Sequence, residues 1–443
     1  MKIFDKTKKA GLALLAVLLL LSAVPGARAV EAPEVSAKHA LLIDPVSEEV
    51  LFERDAHERA YPASITKVMT ALLILENGSP DDTIAVTAEA LEGLHPDGSS
   101  AGLKVGEELT LTDLLHCILV ASANDACNVA AAHISGSVGA FVEKMNARAA
   151  ELGLTGTHFT NPHGLHDENH YTTAFDTYLI TREALKHTEF LEICNTASVT
   201  IPKTNLSGER YFNTTNHLIS IKQTPDYIYP FAKGGKTGHT TPAGYCLVST
   251  AEKNRQLLIA VVMGCVKDEE TGKIGSFVDS KTLYEWGFSS FSEKTILDKS
   301  EVITEVSVRL AKEKDHLILV PQETVSSLLP NDFVPEEVVR TITVFDEENI
   351  TAPVERGQAL GEIALSYNGR DYGTVPLVAM SSVARDQFLY YADVGLTFLS
   401  KPIVKIAIVA LIILIIAYFV FLAVLRSKNR SSSNYRGRKR RRR

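Results

Sequence analysis

The 443-residue chain reads as an α+β protein in three parts: a larger domain of helices on an antiparallel sheet, a small all-β domain, and a helix that crosses a membrane. Three observations predict this. Between residues 40 and 263 strands come first, helices follow and strands return, which is the α+β order. From residue 291 to 385 apolar side chains alternate in short runs, the period of strands. Residues 406–425 carry no charge and are long enough to span a hydrocarbon core of about 30 Å.

The elements follow in order. Lys2, Lys6, Lys8 and Lys9 precede an apolar run from Ala10 to Leu21, and Ala27-Arg28-Ala29 supplies small residues at a cleavage site, so residues 1–29 are expected to be an export signal. The apolar run is 12 residues, short of the roughly 20 needed for a span. The larger domain is placed at 38–290. It opens on a strand pair at 40–44 and 50–54, joined by a polar turn. Ile65, Val68, Met69, Leu72 and Leu73 then mark one face of a helix that Asn77-Gly78 ends. Helices are expected over 114–120, 125–133 and 141–152, the first two separated by Ser122-Ala123-Asn124. Strands return near Lys236, at 245–251 and at 257–263. The small β domain is placed at 291–385, a linker at 386–405, the span at 406–425 and a basic tail at 426–443.

Charge supports this layout. The net charge is −8; residues 1–29 hold five bases and one acid, and residues 426–443 hold ten bases and no acid, so the part between carries −22. Such acidity disfavours anionic polymers, and no nucleic-acid partner is expected. Positive charge beside a span stays in the cytoplasm. The reading is therefore a single-pass protein of the cell membrane with an extracytoplasmic larger domain, a cytoplasmic tail and anionic lipid at that tail. The five cysteines form no C-x-x-C pair, so neither a disulfide framework nor a zinc cluster is expected.

Three short motifs carry chemistry. Ser64-Ile65-Thr66-Lys67 opens the first long helix, where free N–H groups and the helix dipole favour developing negative charge. Lys67 projects from the same side as Ser64 and neighbours the apolar stripe, whose desolvation would lower its pKa and let it act as a base. Ser122-Ala123-Asn124 sits in the break between helices. Lys236-Thr237-Gly238 lies on a strand, with a cation, a hydroxyl and a residue that permits close backbone approach. Each alone also reads as helix capping or a solvated lysine. The order S-x-x-K, S-x-N, K-T-G, each in its own structural setting, is the specific signal.

Those motifs, with flanks Tyr61-Pro62-Ala63 and Val68-Met69-Thr70, Val120-Ala121 and Asp125-Ala126, and Gly235 and His239-Thr240 running to Ala243-Gly244-Tyr245, resemble the low-molecular-mass penicillin-binding proteins of the serine D-alanyl-D-alanine carboxypeptidase family. Asn161-Pro162-His163-Gly164-Leu165 resembles a family loop as well. The likeness covers residues 35–385. It implies a β-lactamase/transpeptidase-like catalytic domain, peptidoglycan stem peptides as substrate, β-lactams as covalent inhibitors, and no cofactor. Carried over, it implies Ser64 as nucleophile, Lys67 as base, and Ser122 with Lys236 as the relay to the leaving D-alanine. Asn124 would hold the peptide, Thr237 beside Gly238 would bind the terminal carboxylate, and the N–H groups of Ser64 and His239 would form the oxyanion hole. The family's usual amphipathic C-terminal helix is replaced here by a full span.

Rival readings are weaker. A class A β-lactamase needs a Glu and an Asn four residues apart, and the one such pair between the second and third motifs, Glu209 and Asn213, comes late in the chain. His163, His166 and His170 have a spacing that would converge on a metal in a helix. Asn161-Pro162 and Gly164 make that segment a loop, no H-E-x-x-H is present, and no metal is expected.

Overall fold

The computed structural model describes residues 31–96, 98–220 and 225–438, with side chains omitted over 427–438. The expected export signal and the end of the basic tail lie outside the described residues. The chain divides into two compact units, one comprising residues up to Lys294 with Ser327–Phe333, the other Thr295–Ser326 with the remainder.

The first unit is built on a five-stranded sheet. Its strands are β1 (His39–Ile43), β2 (Val50–Arg54), β3 (Ala232–Thr240), β4 (Gly244–Lys253) and β5 (Gln256–Cys265). The order is β2-β1-β5-β4-β3, and every neighbouring pair is antiparallel. Both faces are covered. Leu41, Ile43, Val248, Ile259, Val261 and Met263 join one core cluster, while their sequence neighbours Leu42, Leu247, Leu258, Ala260 and Val262 join another. Burial on both sides is why these strands read as continuous apolar runs rather than as alternation.

The helices are α1 (Lys67–Asn77), α2 (Leu111–Leu119), α3 (Asn124–Ser135), α4 (Val138–Glu151), α5 (Ala174–Ala184), α6 (Thr188–Cys194) and α7 (Gly275–Ser290). The core on the far face packs Phe277, Leu283 and Tyr284 of α7 against the sheet. On the other face α1 is central and touches α2, α3, α4, α5 and α6. All eight residues from Lys67 to Ile74 are buried. The sequence stripe Ile65-Val68-Met69-Leu72-Leu73 suggested a helix with one buried face. The structure surrounds it, and a helix enclosed on all sides is where a polar head becomes costly to ionise. All five cysteines are free and buried.

The second unit holds an antiparallel sheet of β6 (Thr304–Ser307), β7 (His316–Pro321), β8 (Val339–Val344), β9 (Ala359–Tyr367) and β10 (Arg370–Ala379) in the order β6-β7-β10-β9-β8. Here burial alternates along β7 and β9, with Leu317, Leu319, Ile363 and Leu365 inward. The segment expected as a linker forms a helix, α8 (Gln387–Ser400), and α9 (Pro402–Arg438) follows after a break at Lys401. Residues Pro402–Arg426 form a helix long and apolar enough to cross a membrane.

Candidate active site

Ser64 lies on a 3₁₀ turn, Ala63–Thr66, that feeds α1; the α-helix proper begins at Lys67. The sequence placed Ser64 at the first turn of the long helix, and the tighter turn is the correction. Its cause is local: Ala63 has φ +47°, a left-handed conformation that a residue with a Cβ rarely adopts. The hydrogen bond at the Ser64 hydroxyl comes from Lys67 Nζ, so the hydroxyl is engaged with the lysine rather than with the helix end.

Lys67 is fully buried. Its Nζ donates to Ser64 Oγ at 2.9 Å, to Asn124 Oδ1 at 2.7 Å and to the His163 carbonyl at 2.7 Å. Burial pulls its pKa down from 10.5 to about 8, against smaller opposing pulls from Cys127 and Asp125. The geometry suits the neutral amine as well as the ammonium. An amine has two N–H donors and one lone pair. Carbonyl oxygens only accept, so the Asn124 and His163 oxygens take the two donors and the lone pair faces Ser64 Oγ.

The second motif sits between α2 and α3. Ser122 has φ +60° and Asn124 begins α3. Both are buried. Ser122 Oγ makes no hydrogen bond among the described residues, whereas the Asn124 side chain is committed to Lys67. Asp125 anchors the loop beside them, accepting from Ser100 Oγ at 2.6 Å and from the N–H groups of Ala101 and Leu103.

The third motif is on edge strand β3. A Cβ added at Gly238 would lie 2.8 Å from the Ser64 nitrogen and 2.9 Å from the Pro62 oxygen. Glycine there lets the strand approach the nucleophile's backbone. Lys236 is buried, donates to the Thr237 carbonyl at 2.9 Å, and has its pKa lowered to about 7 by burial and then by the charge of Lys67. The Thr237 hydroxyl is 2.5 Å from that of Thr215. His239 is exposed and packs on Tyr245 with ring centroids 4.2 Å apart.

The three motifs thus meet: Ser64, Lys67 and Asn124 in direct contact, Gly238 against the Ser64 backbone, and Lys236 within the field of Lys67. The rival side chains bring no further catalytic group or metal set to them. Glu209 and Asn213 are exposed at a short strand, Arg210–Asn213. His163 and His170 are buried, and burial pushes them down to about 3 and about 4, so both are neutral. Sequence reasoning missed the carbonyl of His163, Thr215, and Asp125 as an anchor. A backbone oxygen has no signature in residue type, and Thr215 is linked to β3 only by the fold.

A serine whose hydroxyl faces a buried, readily neutralised lysine, beside a K-T-G edge strand, defines a penicillin-recognising serine acyl-transfer enzyme. Comparison with known proteins narrows the class. The family model described as D-alanyl-D-alanine carboxypeptidase matches residues 26–267, and the one described as the C-terminal domain of penicillin-binding protein 5 matches 291–385. The chain is 33% identical over 359 residues to D-alanyl-D-alanine carboxypeptidase DacF of Bacillus subtilis, covering 80% of this chain and 88% of that one. It is 32% identical over 369 residues to DacA of Haemophilus influenzae, covering 79% and 86%. The crystal structure of penicillin-binding protein 5 from Haemophilus influenzae superposes with a TM-score of 0.61 at 31% identity, over 80% of this chain and all of that one. The chain belongs to the peptidase S11 family of serine-type D-alanyl-D-alanine carboxypeptidases. β-Lactam binding is typical of that family, and the apolar α9 is consistent with a membrane anchor.

Proposed function

We propose that the residues act as follows when the enzyme trims a stem pentapeptide. Ser64 Oγ attacks the carbonyl carbon of the penultimate D-alanine while neutral Lys67 takes the hydroxyl proton. The N–H groups of Ser64 and His239 receive the oxyanion. Removing one such donor typically costs about 10²–10³ in rate. Asn124 holds the peptide, and Thr237, with Gly238 giving access, binds the terminal carboxylate. Ser122 and Lys236 pass a proton to the leaving amine, the C–N bond breaks, and D-alanine departs. Water then attacks the Ser64 ester while Lys67 takes its proton, the bond between the acyl carbon and Ser64 Oγ breaks as Lys67 gives that proton to Oγ, and the shortened peptide leaves. A β-lactam enters the same path and stops at the ester.

One observation carries this reading: the Nζ of a lysine lowered to about 8 lies 2.9 Å from the serine oxygen. The test is D-alanine release from a pentapeptide ending in D-Ala-D-Ala, together with labelling by fluorescent penicillin. The detergent-solubilised full chain is compared with Ser64→Ala and Lys67→Ala. Wild type is expected to do both and each folded variant neither. Covalent labelling of Ser64→Ala would place the nucleophile elsewhere.

The same proposal assigns 1–29 as a cleaved signal and 38–290 as the catalytic domain. It assigns 291–385 as a small β domain and 386–405 as the segment that links it to the span. Residues 406–425 span, and 426–443 lie in the cytoplasm against anionic lipid. Protease added to intact spheroplasts should remove the catalytic domain and spare the tail.

A further inference from the structure

His170 has no part in the chemistry above, yet it is 2% exposed and both its ring nitrogens are engaged. The Thr160 backbone N–H donates to Nδ1 at 3.1 Å. A neutral imidazole carries one proton, so that proton sits on Nε2, which donates to Thr66 Oγ1 at 2.8 Å. Thr66 is on the 3₁₀ turn between Ser64 and Lys67. The ring therefore ties the start of the 160–170 loop to the turn that carries the nucleophile.

Other contacts run between the same two segments. The Thr70 hydroxyl donates to the Pro162 carbonyl at 2.5 Å, and Lys67 donates to the His163 carbonyl. Gly164, at φ +85°, lies so close that an added Cβ would be 1.8 Å from the Ala63 oxygen. Asn161 shapes the loop, its Oδ1 accepting from Gly164 N at 2.7 Å and its Nδ2 donating to the Leu165 carbonyl at 2.9 Å.

We propose that the Thr160–His170 loop is a clasp over the nucleophile turn, and that His170 is the positioning residue that locks it. The clasp acts through the His163 carbonyl, one of the two acceptors that point the Lys67 lone pair at Ser64. This rests on Lys67 being the base. With the lock open, the His163 carbonyl drifts from Nζ, water reaches the amine, and Lys67 loses both its aim and the desolvation that lowers its proton affinity. The charged and titratable groups that face His170 are Asp167, His158, His163, His166 and Lys67.

The experiment is the rate of acylation by benzylpenicillin as a function of pH, on the full chain in detergent. It uses wild type, His170→Leu, His170→Gln, Thr66→Val and the double variant His170→Leu/Thr66→Val. Leucine keeps bulk but removes both hydrogen bonds; glutamine restores an N–H toward Thr66. His170→Leu is expected to acylate about 10²-fold more slowly at neutral pH, the scale of a misplaced catalytic group. The pH midpoint of its acylation should move up by about one unit as desolvation is relieved. His170→Gln should recover most of both. Thr66→Val should show the same alkaline shift, and the double variant should be no worse than His170→Leu alone, because the pair is one interaction. A folded His170→Leu with an unshifted midpoint would overturn the clasp, whether its rate fell or not, since a merely structural role lowers the folded fraction without moving the midpoint. Wild-type acylation by Lys67→Ala would overturn the base assignment and the clasp with it. A dead Lys67→Ala beside an unshifted His170→Leu would overturn the clasp alone.

Discussion

The turn that carries Ser64 and the turn that carries Ser122 both lead into a helix, but the left-handed residue occupies a different place in each. In the first it is Ala63, at φ +47°, the residue before the nucleophile; in the second it is Ser122 itself, at φ +60°. A left-handed residue with a side chain costs about 1–2 kcal/mol, and the surroundings hold both in place. At Ala63 the holders are external: the loop at Gly164 and strand β3 at Gly238 press on the turn. At Ser122 the holders are hydrogen bonds from the two residues that follow it, one local, Ala123 N–H to the Cys117 carbonyl at 2.9 Å, and one to a separate loop, Asn124 N–H to the Ser99 carbonyl at 2.7 Å. The difference matches what each serine must do. Bending before Ser64 leaves that residue in a regular turn, with its N–H and its hydroxyl both available. Bending at Ser122 aims one side chain and asks nothing of its backbone.

If the first turn is held from outside, the largest effect should come from the residue that holds it most closely. Gly164→Ala places a methyl group on the Ala63 oxygen and forces a left-handed alanine, so one segment must retreat. A loss of about 3 kcal/mol or more is expected from overpacking and backbone strain together. Penicillin acylation should fall with it even at temperatures where the variant is folded. Denaturant titration and acylation rates measured together check this. A variant of normal stability and rate would show that the loop does not press on the turn.

The second turn has its own external brace, smaller in reach. Asp125, 3% exposed, is the acceptor that fastens the Ser100–Leu103 loop next to Asn124. Asp125→Ala strands several buried donors, each worth about 1–3 kcal/mol when its partner is charged. A loss of about 3 kcal/mol is expected, with slower acylation because Asn124 loses its support. Asp125→Asn should fall between, as an amide oxygen can keep one of the bonds. Equal stability of Asp125→Ala and wild type would remove the brace.

The site also holds two buried lysines, Lys67 and Lys236, and pH separates their roles. Burial lowers Lys67 to about 8. Its protonated form cannot accept the Ser64 proton, so acylation should rise about tenfold per pH unit below that value and level off above it. Lys236 is pushed to about 7, first by burial and then by the charge of Lys67. Lys236 is therefore largely neutral at the pH where Lys67 changes charge, so Lys236→Met should leave the Lys67 midpoint nearly where it is in the wild type. A stopped-flow profile of acylation against pH in both proteins is the measurement. A midpoint that moves clearly upward in Lys236→Met would mean that Lys236 is still an ammonium where Lys67 titrates, and the order of the two lysines would be reversed.

Much of this was legible in the sequence, and what was not has a physical reason. Side-chain type, spacing and order singled out Ser64, Lys67, Ser122, Asn124 and Lys236-Thr237-Gly238 as candidates, and the fold brings Ser64, Lys67, Asn124 and Gly238 together. The strand at 257–263 was legible because burial on both faces leaves an unbroken apolar run, and the one at 245–251 is interrupted only by the buried Ser249 and Thr250. The sequence stripe on α1 concealed that the helix is surrounded, because Thr70 and Lys67 look like a polar face until the carbonyls of Pro162 and His163 are seen to receive them. The histidines at 163, 166 and 170 invited a metal by spacing. What His163 contributes to Lys67 is a backbone oxygen, which no residue type announces, and what His170 contributes is a tautomer fixed by the backbone of Thr160. Left-handed backbone at Ala63 and Ser122 was also invisible, since neither residue is one that favours it.

That last point gives the smallest effect and the finest test of the comparison. At an ordinary helical position Gly is about 0.5–1 kcal/mol less stable than Ala. At a left-handed position the order is opposed, because Ala bears a steric cost of about 1–2 kcal/mol that Gly avoids, while Gly loses about 0.4–1 kcal/mol through a more disordered unfolded chain. Ser122→Gly should therefore be at least as stable as Ser122→Ala, although both lose the hydroxyl. At the other turn Ala63→Gly should gain less, because the Ala63 methyl packs against β3, with the Cβ position at Gly238 only 3.1 Å from it. Midpoints of urea unfolding for the three variants, read at one pH, decide it. If Ser122→Gly falls below Ser122→Ala by the ordinary helical margin, Ser122 is not held left-handed, and the contrast between a turn bent before its serine and a turn bent at its serine fails.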